Sequence, residues 1–372
     1  MALVGIDARF IYRHRWSGLS YYIYNLLGRM VDLSPHRFRL YYETEPARKP
    51  FSGEERITER KITIRGSRFH AWEQVALPWY QARDKVELFH GPANYLPFIQ
   101  PCPTVLTLHD MILSRHDENE SANELFYWRK VMPHCIRKAE RVITDSECSK
   151  RDIVNILGVN EQKVRVVYAG VDEFYRPMTA AELNEQAGRQ SLPDEFVLVL
   201  GGASPRKNVS RAFEAFALLK KRSDTAVKLV VTIPNETDRG QWTRRMAECG
   251  LHDEVVLLEK VSRELLRHLY NRASLFVYPS LYEGFGLPLI EAMACGAPVA
   301  TSNASCLPEV AGDAAVLFDP CSPADIASAM EKVRSDSALA LRLHERGFAR
   351  AKQFSWSKAA AETLQVYDEI LS

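Results

Sequence analysis

Leu275-Phe276-Val277-Tyr278 and, just beyond it, Glu283-Gly284-Phe285-Gly286-Leu287-Pro288-Leu289-Ile290-Glu291-Ala292-Met293-Ala294-Cys295-Gly296 decide the reading of this chain. The first four residues are a short apolar run of the kind buried on both faces in a parallel sheet. The two glycines of the following loop let a ligand approach the backbone closely. Pro288 suits the first turn of a helix, where its missing N–H costs little, and Gly296 suits the stop. The spacing predicts a helix running to Cys295. Its free N–H groups near Gly286 and Leu287 form an anion site suited to a phosphate. Glu283 lies in the loop and Glu291 inside the helix. The two carboxylates therefore reach different parts of an elongated ligand, each accepting hydrogen bonds from hydroxyls.

The same alternation extends outward in both directions. In the second half, strands are predicted at Phe196–Leu200, Val227–Thr232, Glu254–Leu258, Val299–Thr301 and Ala315–Phe318, with helices between, among them Arg211–Lys220. The first half gives strands at Leu3–Ile6, Phe38–Tyr42, Lys61–Ile64, Glu87–Phe89, Thr104–Leu108, Val142–Thr144 and Val164–Tyr168. Its helices are expected at Tyr21–Leu27, Trp79–Asp84, Glu124–Lys138 and Ser149–Leu157. Arg176–Glu195 is polar, carries Pro177 and Pro193, lacks a strong apolar period, and reads as an inter-domain linker. The expected fold is α/β, with two doubly wound Rossmann-like domains, 1–176 and 195–355, facing a central cleft. Ligands in such sheets bind beyond the carboxyl ends of the strands.

A length of 372 residues fits two domains. Apolar residues at 46% and charged residues at 26% are ordinary for globular protein, and a net charge of +1 gives no overall field for nucleic acid or anionic membrane. The seven cysteines are scattered and none forms a C-x-x-C pair, which fits reduced thiols in a cytosol. The N-terminal Leu3-Val4-Gly5-Ile6 reaches Asp7 before a signal-like apolar stretch develops, and no apolar run approaches transmembrane length. A cytoplasmic protein is expected. Phe126-Tyr127-Trp128-Arg129-Lys130 and Arg137-Lys138 set aromatics beside cations, as on a face at a lipid head-group surface or on a solvated helix with buried aromatic anchors.

Three further segments carry chemistry. Gly201-Gly202-Ala203-Ser204-Pro205-Arg206-Lys207-Asn208 follows a strand end, where adjacent Arg and Lys can clamp a pyrophosphate. Thr107-Leu108-His109-Asp110 ends a first-half strand, with Asp110 a candidate for fixing the imidazole tautomer. Ser17-Gly18-Leu19-Ser20 lies at the first strand-to-helix turn. Walker A and six-residue Rossmann fingerprints are absent, which argues against an ATPase or a dehydrogenase, and Asp-x-Asp, the usual carboxylate pair for a bridging metal, is absent as well.

Two glutamates flanking Gly-Phe-Gly-Leu-Pro resemble the signature of the retaining family-4 glycosyltransferases, which have the GT-B architecture. The resemblance covers nearly the whole chain, more sharply in its second half. It implies that Glu283 contacts the transferred sugar, that Glu291 holds the ribose hydroxyls, and that the amides of Gly284, Phe285, Gly286 and Leu287 face sugar and phosphates. Arg206 and Lys207 resemble the family's cations at the leaving diphosphate, and His109 its histidine at the donor sugar. Gly18 resembles a glycine near the diphosphate, although the family often has two there. Gly202, Lys260 and Val261 complete the implied donor-binding set. Weaker echoes are Phe89–Pro97, Val142–Glu147 and Phe354-Ser355-Trp356-Ser357. The last precedes a helix, 356–372, expected to cross back to the first domain.

The implied activity is retaining transfer of a hexose from a nucleotide-diphosphate sugar to a glycan or lipid-linked acceptor, without metal or other cofactor. His90-Gly91-Pro92 and His109-Asp110 look nearest to bacterial polysaccharide and O-antigen mannosyltransferases, which favours GDP-mannose over a UDP-hexose as donor. Peripheral contact with the cytoplasmic face of the inner membrane is compatible with this reading, and nucleic acid is not an expected partner. A nucleotide-sugar epimerase and a non-catalytic partner subunit of the same architecture are the alternatives.

Overall fold

The computed structural model describes residues 1–13, 16–45, 49–64, 71–112, 125–187, 192–202, 204–223, 225–233 and 236–372. The chain divides into two compact units, Met1–Gly170 with Ser355–Ser372, and Val171–Phe354.

In the first unit, β1 (Leu3–Asp7), β2 (Arg37–Tyr42), β3 (Ile57–Lys61), β4 (Leu88–Gly91), β5 (Thr104–Thr107), β6 (Arg141–Thr144) and β7 (Val164–Val166) form one sheet in the order β3-β2-β1-β4-β5-β6-β7. Every pairing is parallel, so all the strand carboxyl ends share one edge. The winding direction reverses between β1 and β4. Such a sheet needs cover on both faces. Trp72, Phe89, Leu106, Trp128, Met132 and Ile136 belong to the buried cluster that supplies part of it.

The helix Trp356–Leu371 is part of this unit. Ser355 caps it by accepting from the Lys358 N–H at 3.2 Å. Tyr367 OH bonds the buried His90 Nδ1 at 2.6 Å, and Thr107 Oγ1 engages His90 Nε2 at 2.8 Å. Burial and the charge of His109 push the His90 pKa down to about 3, so its ring is neutral. Trp356 meets the edge of Tyr22 at 5.4 Å. A Cβ on Gly170 would collide with the Trp356 backbone nitrogen, so glycine is required where the returning chain crosses.

The second unit repeats the scheme. β8 (Phe196–Leu200), β9 (Lys228–Ile233), β10 (Val255–Glu259), β11 (Leu275–Tyr278), β12 (Val299–Ser302) and β13 (Val316–Phe318) run parallel in the order β10-β9-β8-β11-β12-β13. Here the reversal lies between β8 and β11. Phe213, Phe216, Leu229, Val231, Val277 and Met330 belong to its core.

Four expectations need correction. β3 is Ile57–Lys61, not Lys61–Ile64. It is an edge strand of mostly polar residues, and the apolar Ile62 lies just past its end, donating its N–H to Tyr42 O at 2.8 Å. The helices expected at Trp79–Asp84 and Glu124–Lys138 are Leu77–Arg83 and Met132–Lys138, each preceded by a π-helical turn, Trp72–Ala76 and Tyr127–Val131. Glu124 lies outside the described residues. Within Arg176–Glu195, the expected linker, stands a helix, Ala180–Ala187. Thr179 and Glu182 form its capping box, with the Thr179 N–H on Glu182 Oε2 at 2.8 Å and the Glu182 N–H on Thr179 Oγ1 at 3.3 Å. Arg267 holds Glu182 at 3.1 Å, so ionic contacts stand in for an apolar stripe.

Among the described residues no helix is long and apolar enough to cross a membrane. The Tyr367→Phe variant leaves a ring nitrogen of His90 without its partner in a site closed to water. It is expected to cost the first unit about 1–3 kcal/mol, read as a lower urea midpoint. An unchanged midpoint would show that the bond adds nothing.

Candidate active site

The loops after β8 and β11 meet where the second sheet reverses direction, the place at which doubly wound sheets hold ligands. Gly201 leaves β8 so close to β9 that a Cβ would collide with Thr232 O. A 3₁₀ turn, Pro205–Lys207, follows and ends at Asn208 in the left-handed region, φ 59°. The Asn208 amide donates to Pro279 O at 2.9 Å and to Pro320 O at 2.7 Å, tying the turn to the loops after β11 and β13. Leu281 N–H donates to Arg206 O at 2.8 Å.

This frame brings Arg206, Lys207 and Glu283 together. Arg206 Nη1 lies 2.7 Å from Glu283 Oε2, and Lys207 Nζ lies 2.7 Å from Glu283 Oε1. Lys207 Nζ also reaches Tyr278 OH at 3.0 Å. Glu283 is fixed through its backbone as well. Ser305 Oγ donates to its carbonyl at 2.6 Å, and the Cys306 thiol does so at 3.1 Å. Burial alone would raise the Glu283 pKa, but the charges of Lys207 and Arg206 outweigh it and hold the group below the usual carboxylate range. Burial and the Arg206 charge lower the Lys207 pKa against the pull of Glu283. Two cations and one carboxylate leave the cluster with one positive charge.

The adjoining helix is Leu287–Cys295, bounded by left-handed glycines, Gly286 at φ 94° and Gly296 at φ 88°. At Gly286 a Cβ would also press to 2.9 Å from Leu307 Cδ2. Gly284, Phe285, Gly286 and Leu287 form the approach and first turn of this helix, with Phe285 buried against Phe354 at 5.4 Å. Glu291, further along it, accepts from Tyr270 OH at 3.2 Å. Burial raises its pKa to about 7, opposed by the Tyr270 bond and the Arg263 charge. Gly202 lies beside Lys207, whose Cγ is 3.4 Å from the position of a Cβ. Lys260, exposed with φ 49°, and the half-buried Val261 follow β10, two strands away from β8. Among the described residues no hydrogen bond or ion pair joins them to the Glu283 cluster.

In the first unit, His109 stands past the end of β5. Its Nδ1 is 2.5 Å from Asp145 Oδ2 and its Nε2 is 3.0 Å from Pro92 O. The backbone N–H donates to Asn94 Oδ1 at 2.8 Å, and the edge of Tyr22 packs at 4.6 Å. With both ring nitrogens on acceptors, the ring must carry both protons. Burial opposes that charge, but the Asp145 carboxylate overcomes it and raises the pKa. With both nitrogens protonated there is no tautomer for Asp110 to fix, and the carboxylate that holds the ring is Asp145, which follows the neighbouring strand β6. Asp110 instead accepts from the Ile112 N–H at 2.9 Å, closing its own turn. The sequence marked both stretches that supply His109's partners, Phe89–Pro97 and Val142–Glu147, but not the residues that reach it. Gly18 opens the helix Gly18–Leu33, and a Cβ there would meet nothing within 4 Å.

One buried cluster gave no sign in the sequence. Past β1, at the first sheet's reversal, Arg9 Nη2 reaches Asp7 Oδ2 at 2.6 Å and Glu73 Oε2 at 2.9 Å, with the guanidinium 4.4 Å over the Trp72 ring. Tyr127 OH donates to Glu73.

Two doubly wound parallel sheets in succession, with ligand-ready loops at their carboxyl edges, are the GT-B architecture. The Glycosyltransferase Family 4 model matches residues 16–173, and the Glycosyl transferases group 1 model matches residues 181–350. The "O-antigen chain mannosyltransferase B" of Escherichia coli is 31% identical over 294 residues, covering 78% of this chain and 76% of that protein. The "Serotype-specific mannosyltransferase WbdA" of the same species is 30% identical over 287 residues, covering 75% of this chain, which spans only 34% of that protein. Among solved structures, Anabaena Alr3699/HepE in complex with UDP-glucose superposes with a TM-score of 0.78 at 17% identity, over 99% of this chain and 100% of that one. The chain belongs to the group 1, family 4 glycosyltransferases and is an enzyme of that class.

The Asp145→Asn variant tests the His109 anchor. Removing the carboxylate charge should lower the His109 pKa, because the term that outweighs burial is lost. A raised pKa extends the cationic form of the ring to higher pH, and losing the carboxylate lets the proton leave at lower pH. An NMR titration of the ring nitrogens is expected to show the midpoint move down, and a midpoint at its wild-type value would refute the assignment.

Proposed function

We propose that this glycosyltransferase moves mannose from GDP-mannose onto a glycan or lipid-linked acceptor, with retention of configuration and without a metal ion. The observation that carries the proposal is the Arg206–Glu283–Lys207 cluster at the β8/β11 reversal, beside a glycine-capped helix N-terminus. Preorganised cations and amides there would stabilise a leaving diphosphate, the task that a divalent ion performs elsewhere. The names of the two E. coli relatives support mannose, while the UDP-glucose in the Anabaena neighbour keeps a UDP-hexose as the competing donor.

In this reading Glu283 serves the transferred sugar. It also pins Arg206 and Lys207 until phosphate oxygens share them. Glu291 accepts from the ribose hydroxyls, and His109 acts at the donor sugar as the family resemblance implies. The acceptor attacks from the face of the leaving group, and the departing diphosphate takes its proton. No covalent role falls to Glu283.

Peripheral membrane contact belongs to the same proposal. Val75, Trp79, Phe98, Ile99 and Phe126 are all exposed, at 69%, 56%, 45%, 61% and 63%. Arg83 lies over Trp79 and Lys138 over Phe98. Phe98 joins two of these elements, through its N–H to Gln74 Oε1 at 2.7 Å and by stacking on His134. Tyr127 and Trp128, by contrast, are buried core residues. Wild-type protein is expected to sediment with anionic phospholipid vesicles at low salt, and an Ile99→Ser/Phe126→Ser variant to remain in solution. Equal sedimentation of the two would remove the membrane from the proposal.

The catalytic reading is tested by assaying transfer from GDP-mannose after chelation. Turnover should persist in EDTA. The Lys207→Ala variant should lower kcat on the order of 10²–10³-fold. Glu283→Gln should slow transfer while leaving GDP binding intact or tighter, because it removes the carboxylate with which the phosphates compete. Glu291→Gln should chiefly raise the donor KM, since it removes binding common to substrate and product. Glu291 gives up its proton only near pH 7, so donor KM should rise as pH falls below that value. The Gln variant should lose this dependence. Loss of GDP binding in Glu283→Gln, with normal binding in Glu291→Gln, would reverse the two roles. Conversion of free sugar nucleotide without acceptor would identify an epimerase, and no turnover with any sugar nucleotide would identify a partner subunit.

A further inference from the structure

The outer side of the helix Gly18–Leu33 bears a cavity of about 330 Å³ lined by Tyr24, Asn25, Gly28, Asp32, Phe51 and Glu54, among others. Its two aromatic rings, Tyr24 and Phe51, form a file with Trp16, which stands beyond the lining. Trp16 lies 5.1 Å from Tyr24, and Tyr24 lies 5.3 Å from Phe51. Tyr24 is exposed rather than buried in a core. Gly28 sits in mid-helix, where glycine costs about 1 kcal/mol relative to alanine. Packing does not demand it, because a Cβ there would only touch Phe51 Cε1 at 3.9 Å. What glycine does at this position is keep the floor of the cavity open.

The polar groups around the rings fit hydroxyls better than phosphates. The Asn25 amide gives its Nδ2 to Tyr21 O at 2.9 Å, which leaves its carbonyl oxygen for a donor. Asp32 and Glu54 add two carboxylates. Among the described residues Arg29, which also lines the cavity, approaches Asp32 at 4.0 Å, and Arg56 pairs with Glu54 at 3.5 Å, so each of these cations stands beside a carboxylate. Flat apolar faces with carboxylates and an amide at their edges suit a pyranose ring, which offers a C–H face and a rim of hydroxyl donors. The same helix connects the cavity to the His109 site. Tyr22 packs on His109, and Trp16 immediately precedes the turn at Ser17–Gly18.

We infer that this file of rings is a binding track for an oligosaccharide, in which sugars already joined to the acceptor lie on Tyr24 and Phe51. The inference rests on the proposed transfer to a glycan and identifies the acceptor as a chain of neutral sugars longer than one unit.

The test compares methyl α-mannoside with a linear α-mannotetraose by calorimetry, on wild-type protein, a Gly28→Trp variant that fills the cavity, and a Tyr24→Ala/Phe51→Ala variant that strips its walls. Wild-type protein should bind the tetrasaccharide about tenfold or more tightly than the monosaccharide, as aromatic contacts of this kind allow. Both variants should lose that preference while GDP raises their melting temperature as it does for wild type. Absence of the preference in wild-type protein, or its survival in both variants, would overturn the track. Failure of GDP and GDP-mannose to bind wild-type protein would instead strike the proposed donor, whatever the tetrasaccharide does.

Discussion

One carboxylate organises the second unit. Glu283 takes Arg206 on one oxygen and Lys207 on the other, and so closes the gap between loops that follow β8 and β11. Those strands are neighbours only because the sheet reverses there. A buried carboxylate without partners would be expelled or protonated. Two cations make its ionised form the stable one, and it in turn holds two like charges side by side. Everything else in the region serves this contact. Asn208 fixes the turn that presents the cations, while Ser305 and Cys306 fix the carbonyl of Glu283.

The first sheet treats its reversal in the same manner, with Arg9 shared between Asp7 and Glu73. Buried ion pairs are weak evidence of stability, since a well-packed apolar set often does as well. Their recurrence past the strand ends fits a different use, that of keeping charges oriented where the sheet opens. His109 follows the same rule one strand further along. It is a buried cation that persists because Asp145 and the Pro92 carbonyl accept hydrogen bonds from both its ring N–H groups.

Much of this was legible in the sequence. Phe196–Leu200 and Leu275–Tyr278 are strands with the bounds their apolar runs suggest, because a strand covered on both faces must be apolar throughout. β3 departs from the apolar run because an edge strand faces water and carries Thr58, Glu59 and Arg60. The helix Ala180–Ala187 shows no apolar stripe because Glu182 anchors it, and its sequence signal is the capping pair Thr179-x-x-Glu182. At the site, Arg206, Lys207, Glu283 and Glu291 could be picked out from their loops. That the first three share one contact could not, because Glu283 is distant in sequence and only the strand order brings it near. Asp145 escaped for the same reason, since Asp110 stood next to His109 in sequence while Asp145 stood next to it in the sheet.

The closeness of Gly170 to Trp356 has a bearing on how the molecule is made. The seven strands of the first sheet are complete by Val166, yet the helix that pairs with His90 and covers Tyr22 is built from residues that leave the ribosome some two hundred positions later. Synthesis at about 5–20 residues per second leaves that side of the nascent unit bare for on the order of ten seconds or more. The intervening unit has no such debt to distant sequence, since Val171–Phe354 is continuous and can close as it emerges. Folding is therefore out of register with translation, the later half reaching its final form before the earlier one. A chain halted before Trp356 would carry a finished second unit and an unsealed first one, which marks it for capture by chaperones or proteases.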